Sequence, residues 1–422
     1  MTNMLKTDIL IIGAGPGGAA TALKLSYMGI PCILIDKASF PRDKVCGDAV
    51  SGKVTTLLNR LDPAILKRFR KLPVHSDVWG IRFVAPNRQA IDIPFTPDYV
   101  RDPDNAPGYV VRRTDFDNFL IEEVQKRKNI DWMPETEATH FERSEQGYIV
   151  EFKDGQKVTC SLLIVANGAY SQFTRKVAGL EKENKHYAGA VRAYYKNVSG
   201  FSEDNFIELH FIKDYIPGYF WAFPLPDGGA NIGLGMRSDF ISKRKVNLKK
   251  SLEKIITEHP DISPRFKNAQ LEGKVVGYGL PLGSKTRPIS GDHFMLVGDA
   301  GYLVDPLTGE GIGNAFYSGF IAAEQARDCL EAQNFSAEIL KAYDIRVERV
   351  LGSEMKLSYR MQSIARYPFL LNIIGRIINS NRKLLYVLSN MYTDFNLREQ
   401  IVKPWFWLKM IFSKKIEQEG AK

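Results

Sequence analysis

Cysteine is scarce in this chain of 422 residues, and its spacing excludes two kinds of site. The four cysteines, Cys32, Cys46, Cys160 and Cys329, form no Cys-x-x-Cys pair. Structural zinc sites and disulfide frameworks need cysteines in closely spaced sets. We therefore expect no metal ion, and free thiols in a reducing compartment.

Long apolar runs are also missing from the sequence. No stretch is continuous enough to span a bilayer, and the residues before Gly13 lack the features of a signal peptide. These absences predict a cytoplasmic protein, or one that lies on the inner face of the membrane without crossing it. The formal net charge of +9 admits an anionic ligand or a membrane surface. The basic residues are scattered and form no nucleic-acid module, so no nucleic acid is expected.

Glycine, by contrast, is plentiful, and its first cluster predicts a nucleotide site. A short apolar strand leads into Gly13, Gly15 and Gly18, and a helix and a second strand follow, which ends at Asp36 and Lys37. In this pattern the glycines permit the turn, the approach of backbone N–H groups to a pyrophosphate, and close helix packing. The acid at the end of the second strand accepts hydrogen bonds from a ribose. These residues predict a Rossmann-like dinucleotide site, without distinguishing FAD from NAD(P).

A second glycine-rich segment, FMLVGDAGYLVDPLTGEGIGNAF, begins at Phe294 and reads as strand, Gly-Asp step, loop and helix. It resembles the Gly-Asp motif of flavoproteins related to p-hydroxybenzoate hydroxylase. The resemblance implies FAD, with Asp299 on the ribityl chain and the loop that contains Gly311 and Ile312 against the isoalloxazine. A helix that starts beside the flavin would stabilise the negative charge of its reduced form.

Two shorter segments fit the same resemblance. In VVRRTDFDNFL, Arg112 matches the family arginine beside the FAD phosphates, and the spacing of Thr114 and Asp117 predicts a capping box at the start of a helix. Asn167 stands where the family usually has aspartate, so it keeps a hydrogen-bonding side chain but lacks the charge. No second Gly-x-Gly-x-x-Gly segment precedes a helix. We therefore expect NAD(P)H or another electron carrier to visit the site only transiently.

The segment FPRDKVCGDAV contributes a Lys-x-Cys-Gly element, and a strand near residue 220 carries Tyr-x-Trp-x-Phe-Pro. Together they resemble the geranylgeranyl reductase family of FAD-dependent oxidoreductases, over residues 5 to about 345. The resemblance places Arg42, Lys44 and Gly47 at the cofactor. We hypothesise that Cys46 relays a proton or faces the substrate, although a cysteine at such a position is most often only packing.

The alternation of Tyr219, Trp221 and Phe223 predicts three rings on one face of a strand. The family resemblance implies that this face lies over the flavin as the wall of an apolar slot for a polyprenyl chain. There the rings would be catalytic, because aromatic faces stabilise a partly cationic transition state. The alternative is an aromatic strand that packs an ordinary core.

The resemblance implies a FAD-dependent reductase that saturates C=C bonds of a polyprenyl lipid, quinone or diphosphate, so that the partner is a hydrophobic small molecule or a lipid. One alternative is a flavin-dependent monooxygenase or hydroxylase of an aromatic or polyketide-like substrate, and another is a non-catalytic flavin-binding membrane protein. Halogenation is disfavoured, because the Trp-x-Trp-x-Ile-Pro element is missing. Nothing in the sequence indicates an oligomeric state.

The predicted fold is α/β: a Rossmann-like FAD-binding domain interleaved with an antiparallel-sheet substrate domain, and a helical C-terminal region. The boundaries assign residues 1–75, 106–180 and 286–345 to the FAD domain, 76–105 and 181–285 to the substrate domain, and 346–422 to the C-terminal region. Within that region, residues 401–415 mix aromatic and basic side chains. This composition fits peripheral membrane contact and also a helix docked on its own domain.

Overall fold

The structure, a computed structural model, describes residues 4–381 and, beyond them, Leu384, Leu385 and Ser389. Residues 401–415, for which membrane contact is predicted, lie outside these described residues. Within residues 4–381 the strands are β1 Leu5–Ile12, β2 Cys32–Ile35, β3 Ala49–Val50, β4 His75–Val78, β5 Gly80–Val84, β6 Ala90–Pro94, β7 Gly108–Val111, β8 Ile130–Met133, β9 Ala138–Ser144, β10 Gly147–Phe152, β11 Lys157–Val165, β12 Tyr187–Lys196, β13 Ile207–His210, β14 Gly218–Pro224, β15 Ala230–Arg237, β16 Gln270–Pro281, β17 Ser290–Gly291 and β18 Phe294–Leu296.

The α-helices of the same part of the chain alternate with these strands at first and then follow one another toward its end. They are α1 Pro16–Tyr27, α2 Gly52–Leu61, α3 Pro63–Arg70, α4 Arg113–Gln125, α5 Gln172–Lys176, α6 Ser238–Arg244, α7 Leu248–Glu258, α8 Ile312–Ala332, α9 Ala337–Val347, α10 Ser353–Ala365 and α11 Pro368–Asn379. None of the described helices is long and apolar enough to cross a bilayer.

The first sheet has the order β17-β18-β11-β1-β2-β8, and the hairpin of β9 and β10 joins it at β11. Its central pairs, β1 with β11 and β2, and β11 with β18, are parallel. The end of β1 is buried as a continuous apolar run, as is typical of parallel strands that are covered on both faces. Helices α1 and α8 pack so closely that no side chain would fit at Gly319. A Cβ there would lie 2.6 Å from the carbonyl oxygen of Gly17.

The second sheet has the order β16-β12-β15-β14-β13-β5-β6, and its pairs are antiparallel except β13 with β5. One of its faces packs against α7, with Phe220 and Ile232 in that core. The other face carries Trp221, Phe223 and Leu209. All strands of this sheet lie within residues 76–105 and 181–285, and all strands of the first sheet lie outside them. The α/β fold with interleaved sheets and C-terminal helices is confirmed.

A third, small sheet of the order β3-β7-β4 lies beside the Lys-x-Cys-Gly segment. Its strand β3 follows that segment directly and pairs with Tyr109 and Val110 of β7. The backbone N–H of Val111 donates to the carbonyl of Asp48 at 3.0 Å. The loop before β3 is therefore tied to a strand that leads straight into α4.

The C-terminal helices fold back onto both sheets. Ile378 of α11 packs in a small core with Ile91 and Ile93 of β6. On α10, the Gln362 amide donates a hydrogen bond to the Pro306 carbonyl oxygen, in the loop before α8. These contacts place α10 directly behind that loop.

Candidate active site

One large cavity of about 590 Å³ passes between the two main sheets. It begins at the end of β2 and reaches the aromatic face of β14. Its lining includes these residues predicted from the sequence: Gly13, Gly15, Asp36, Lys37, Arg42, Lys44, Cys46, Gly47, Tyr219, Trp221, Phe223, Asp299, Gly311 and Ile312. The fold thus brings together segments from distant parts of the chain. Of the predicted site residues, Gly18 and Arg112 do not line this cavity.

The glycine turn after β1 is closely packed by main-chain atoms. Gly13 has φ +96°, and a Cβ at this position would lie 2.6 Å from the carbonyl oxygen of Ala166. A Cβ on Gly18 would lie 1.8 Å from the carbonyl oxygen of Gly13. Gly18 therefore allows α1 to start directly against the turn, which is why it lies behind the cavity wall and not in it.

Asp36 holds the two loops that flank the same end of the cavity. One carboxylate oxygen accepts a hydrogen bond from the backbone N–H of Ala14 at 2.8 Å, and the other accepts one from Ala38 at 2.9 Å. Each carboxylate oxygen can accept a further hydrogen bond. Asp36 can therefore bind a ribose while it keeps the turn in place.

The Arg42 guanidinium lies over the glycine turn. Its Nη2 would be 3.6 Å from a Cβ on Gly15. Its buried Nη1 lies 3.0 Å from a carboxylate oxygen of Asp117, but it makes no hydrogen bond with any described residue. The guanidinium is thus paired with Asp117 on one side and lies beside Gly15 on the other, where its positive charge suits a diphosphate.

The neighbouring arginines of β7–α4 point to different places. Arg112 donates to both carboxylate oxygens of Glu272 at 2.9 and 2.8 Å, and to Asp227 at 3.2 Å, so its guanidinium binds the second sheet. Arg113 lines the cavity, is 1% exposed, and donates to Asp117 at 2.6 and 2.5 Å. Burial alone would lower the pKa of Arg113, but Asp117 raises it, so the guanidinium is charged.

The capping box predicted from Thr114 and Asp117 is wrong. Helix α4 begins at Arg113, and its first residue has no capping side chain before it. The Asp117 carboxylate is occupied by Arg113, one helical turn away. Sequence reasoning missed Arg113, although the i,i+4 spacing of an arginine and an aspartate on one helix indicates such a pair.

Lys44 and Asp299 come from distant segments of the chain and contact each other in the cavity wall. Lys44 Nζ lies 3.3 Å from Asp299 Oδ2 and 4.5 Å from the centre of the Tyr278 ring. Burial alone would lower the pKa of Lys44, but the Asp299 carboxylate raises it above its usual value. Asp299 also neighbours Gly311, where a Cβ would lie 3.2 Å from its Oδ1. Asp299, which the resemblance places at the ribityl chain, therefore lies beside two other residues predicted to contact the cofactor, Lys44 and Gly311.

Helix α8 starts at the same place. It begins at Ile312, and Gly311 in front of it supplies no capping side chain. The N–H groups of the first turn of a helix need acceptors and favour negative charge. Since Gly311 and Ile312 both line the cavity, this end of α8 is suited to a flavin that becomes anionic on reduction.

Tyr219, Trp221 and Phe223 form a row of rings on one face of β14, as the alternation predicts. Adjacent ring centres are 6.3 and 6.5 Å apart. The Tyr219 hydroxyl donates a hydrogen bond to the Thr308 carbonyl oxygen, in the loop before α8. The ring row is thus attached to the loop that the resemblance places at the isoalloxazine.

Two glycines allow this row of rings to fit. A Cβ on Gly233 of β15 would lie 2.0 Å from Trp221 Cζ2, so the indole lies flat against a strand without a side chain. A Cβ on Gly47 would lie 2.9 Å from Phe223 Cε2. The Lys-x-Cys-Gly loop and the aromatic strand, which the sequence separates widely, are therefore packed against each other.

A polar network behind the rings was not predicted from the sequence. Asn231 of β15 accepts a hydrogen bond from Trp221 Nε1 at 2.9 Å and donates to the Cys46 carbonyl at 2.8 Å and to Asp48 Oδ2 at 2.7 Å. The Tyr194 hydroxyl donates to the same Asp48 oxygen at 2.6 Å. A signal was present, because Asn231 is a polar residue in a strand whose next five residues are apolar or glycine.

Asp48 itself is fully buried and has φ +67°. Burial raises the pKa of Asp48 to about 6, although hydrogen bonds from Tyr194 and Asn231 act in the opposite direction. Cys46 lies on the same loop and lines the same cavity as Arg113. Asn167 also lines the cavity.

The chain matches two family models that agree with this geometry. Residues 6–216 match an FAD binding domain, and residues 187–276 match the geranylgeranyl reductase catalytic domain. The first match covers the glycine turn, Asp36 and the Lys-x-Cys-Gly loop. The second covers Trp221 and Asn231.

Similar proteins extend over nearly the whole chain. It is 28% identical over 414 residues to a menaquinone reductase of Mycobacterium tuberculosis, with 94% of each chain covered. It is 31% identical over 356 residues to digeranylgeranylglycerophospholipid reductase 1 of Methanothermobacter thermautotrophicus, covering 83% of this chain and 84% of that one.

The fold is also that of a solved structure, a geranylgeranyl bacteriochlorophyll reductase-like protein from Thermoplasma acidophilum. The TM-score is 0.79 at 24% identity, and the match covers 97% of this chain and 96% of that one. The Arg42 guanidinium over the turn, the glycine-rich turn itself and the uncapped start of α8 all fit FAD. The chain belongs to the geranylgeranyl reductase family of FAD-dependent oxidoreductases, as its motifs predict.

Proposed function

We propose that this protein uses FAD to saturate C=C bonds in the polyprenyl chain of a membrane lipid or quinone. The observation that carries the proposal is the continuity of the cavity, which joins the glycine turn and Asp299 to the ring row of Tyr219, Trp221 and Phe223. The relatives named above are reductases of a quinone and of a glycerophospholipid. Both kinds of substrate suit an apolar slot.

The residues that line the cavity from the glycine turn to Asp299 would hold the cofactor. Asp36 would bind the adenosine ribose, Arg42 and the turn at Gly15 the diphosphate, and Asp299 the ribityl chain. When bound and reduced, FAD supplies a hydride. Lys44 would have to exchange part of its contact with Asp299 for the cofactor, since the two side chains are 3.3 Å apart.

The residues at the aromatic end would hold and orient the alkene. Trp221 and Phe223 are 7% and 8% exposed, so a chain bound against them is shielded from water. An alkene without a neighbouring carbonyl becomes partly cationic as it is reduced, and a ring face stabilises a cation by about 0.5–2 kcal/mol. The Trp221 ring is held flat for this role by its hydrogen bond to Asn231.

The electron donor that we propose is NAD(P)H or another carrier that visits transiently. We also propose that the segments carrying the first and second sheets are the FAD domain and the substrate domain, with the boundaries given above. We also propose peripheral membrane contact through residues 401–415, and α11 could add to it, since Phe369 is 59% and Ile373 45% exposed between Arg366 and Arg376. A prenyl substrate would then enter from lipid.

The direct test is anaerobic incubation of dithionite-reduced protein with menaquinone and with a digeranylgeranyl glycerophospholipid. We expect the flavin to be reoxidised and product masses to rise by pairs of hydrogens. Trp221→Leu should slow product formation more than Trp221→Phe, because both lose the indole N–H but only the first loses the ring. No mass increase with either lipid, or a reaction that needs oxygen, would contradict the proposal.

A further inference from the structure

Asp48 is a buried acid in the wall of the cavity for which the proposed function has no role so far. It follows the Lys-x-Cys-Gly element, contributes to the cavity lining, and has no exposed surface. Its φ of +67° turns the chain so that its side chain meets β12 and β15. Asparagine and aspartate tolerate this conformation better than most residues.

The two oxygens of Asp48 have unequal surroundings. Oδ2 accepts hydrogen bonds from the Tyr194 hydroxyl at 2.6 Å and from Asn231 Nδ2 at 2.7 Å. Oδ1 is buried and has no hydrogen-bond partner among the described residues. A carboxylate would leave a charged oxygen buried without a donor, which is costly. A carboxylic acid with its proton on Oδ1 fits the arrangement better, because Oδ2 is then the carbonyl that accepts both bonds.

The charged groups around Asp48 would stabilise it after the proton has left. Arg192 on β12 and Arg113 on α4 both lower the pKa of Asp48, but burial outweighs them and raises it to about 6. Arg192 pairs with Asp43 at 2.7 Å, and Arg113 pairs with Asp117. The elements that face Asp48 thus offer two paired arginines, the Tyr194 hydroxyl and the Asn231 amide, and on its own loop the Cys46 thiol.

We propose that Asp48 is the acid of the site and delivers, from Oδ1, the proton required by the alkene carbon that does not receive the hydride. The proposal rests on the proposed function. This role would explain why the proton on Asp48 Oδ1 is shielded from water and has no hydrogen-bond acceptor in the described part of the chain. It also leaves Cys46 free to contact the substrate.

The step is balanced in atoms and electrons. A hydride supplied by reduced flavin would bring two electrons to one alkene carbon and form the first new C–H bond. The two π electrons form the second C–H bond with the proton that leaves Asp48. The alkene would be reduced by two electrons and the flavin oxidised by two, and the Asp48 carboxylate would regain a proton from the bulk solvent between turnovers.

Asp48→Asn tests this role with little change of structure. Asparagine has the same shape, tolerates positive φ, and can keep both hydrogen bonds through its side-chain oxygen. General acids contribute about 10²–10⁴-fold to a rate. We expect the rate of substrate-dependent flavin reoxidation to fall by about 100-fold or more in Asp48→Asn, with unchanged FAD content and unchanged reduction by dithionite.

The pH dependence gives a second measurement. In the wild type the rate should fall as pH rises above about 6, because the acid form is lost, and Asp48→Asn should lack this fall. Tyr194→Phe removes a donor that favours the carboxylate, so the fall should move to higher pH. A structural role alone would not move this profile. If Asp48→Asn fails to fold, the shift in Tyr194→Phe still tests the proposal.

Infrared difference spectroscopy of the apoprotein detects the protonation state of Asp48 without turnover. The wild-type spectrum minus that of Asp48→Asn should contain a carboxylic-acid C=O band that disappears as pH rises through about 6. Absence of the band, or a wild-type rate and pH profile in Asp48→Asn, would overturn the role of Asp48. If prenyl lipids fail to reoxidise the wild-type flavin at every pH, the proposed function fails instead, and the infrared titration distinguishes the two failures.

Discussion

The glycine turn and the ring row lie at opposite ends of one cavity and are held by different kinds of contact. At the turn, main-chain atoms of Gly13 and Ala166 exclude any side chain, and Asp36 binds backbone N–H groups. At the ring row, side chains from different strands bind one another through Asn231. A site held by backbone tolerates few substitutions but needs few residues, whereas a site held by side chains can be adjusted for a new substrate.

The largest effect is expected at the turn, from Gly18→Ala. The new Cβ would lie 1.8 Å from the Gly13 carbonyl oxygen, so α1 must move away from the turn. Overpacking of this kind costs about 1–3 kcal/mol or more. We expect loss of bound FAD, measured by flavin absorbance of the purified protein, and a lower unfolding temperature.

Gly15→Ala is the matched control for that variant. Its Cβ would meet only Arg42 Nη2, at 3.6 Å, so the fold should be retained while the approach of a diphosphate is blocked. FAD affinity should fall without a change in unfolding temperature of the apoprotein. Equal unfolding temperatures for Gly18→Ala and the wild type would show that the turn is less constrained than we describe.

The next largest effect is expected at the ring row, from Gly233→Ala. Its Cβ would lie 2.0 Å from the Trp221 ring and should displace the indole. Gly235→Ala is the control on the same strand, since its Cβ would lie 3.7 Å from the same ring, an ordinary contact. We expect prenyl reduction to fall at least about tenfold in the first variant and little in the second, with FAD bound in both. Equal turnover would remove Trp221 from substrate orientation.

A third prediction concerns the stability of the ring-row end against pH. Asp48 has a pKa of about 6 in the folded chain and about 3.9 when unfolded, so its contribution to stability is full below about pH 4 and is lost as pH rises to 6. The free energy of unfolding of the wild type, relative to Asp48→Asn, should fall by up to about 3 kcal/mol over that interval. Denaturant titrations at several pH values check this. A difference independent of pH would mean that Asp48 does not titrate there.

The smallest effect is expected from Arg112. Its guanidinium binds Glu272 and Asp227 outside the cavity, so Arg112→Ala should cost about 1 kcal/mol of stability or less and leave FAD affinity unchanged. Arg42→Ala removes the guanidinium charge beside Gly15 and should weaken FAD binding about tenfold or more. Titration of the two apoproteins with FAD compares them. Weaker FAD binding in Arg112→Ala would instead support the position beside the FAD phosphates that the family resemblance gives Arg112.

Sequence reasoning succeeded where the physical cause is local. Gly13, Gly15 and Asp36 belong to one strand–helix–strand unit and line the same cavity, so their spacing alone predicts that they lie together. The alternation of Trp221 with its neighbouring rings likewise follows from the geometry of a single strand. The helix after the Gly-Asp step follows from apolar patterns and turn residues, whereas the interleaving of two sheets was expected from the family resemblance.

It failed where the contacts join distant segments or depend on the direction of one side chain. Asp48 and Asn231 are 183 residues apart in the chain, so neither predicts the other. Arg112 and Arg113 are adjacent, and only the packing of α4 decides which of them faces the cavity. The Thr114–Asp117 spacing fits a capping box, but the carboxylate binds a buried arginine, which is the stronger partner.

The hydrogen bond from Gln362 to the Pro306 carbonyl makes the site depend on α10, which lies beyond the family-matched segments. The loop in front of α8 is anchored by a residue that follows it by 56 positions. Lys53 adds a second anchor, because it pairs with Glu310 at 3.7 Å and with Glu354 of α10 at 2.9 Å. A protein truncated before α10 would retain both segments that match the family models. It would still lose the residues that anchor the loop in front of α8.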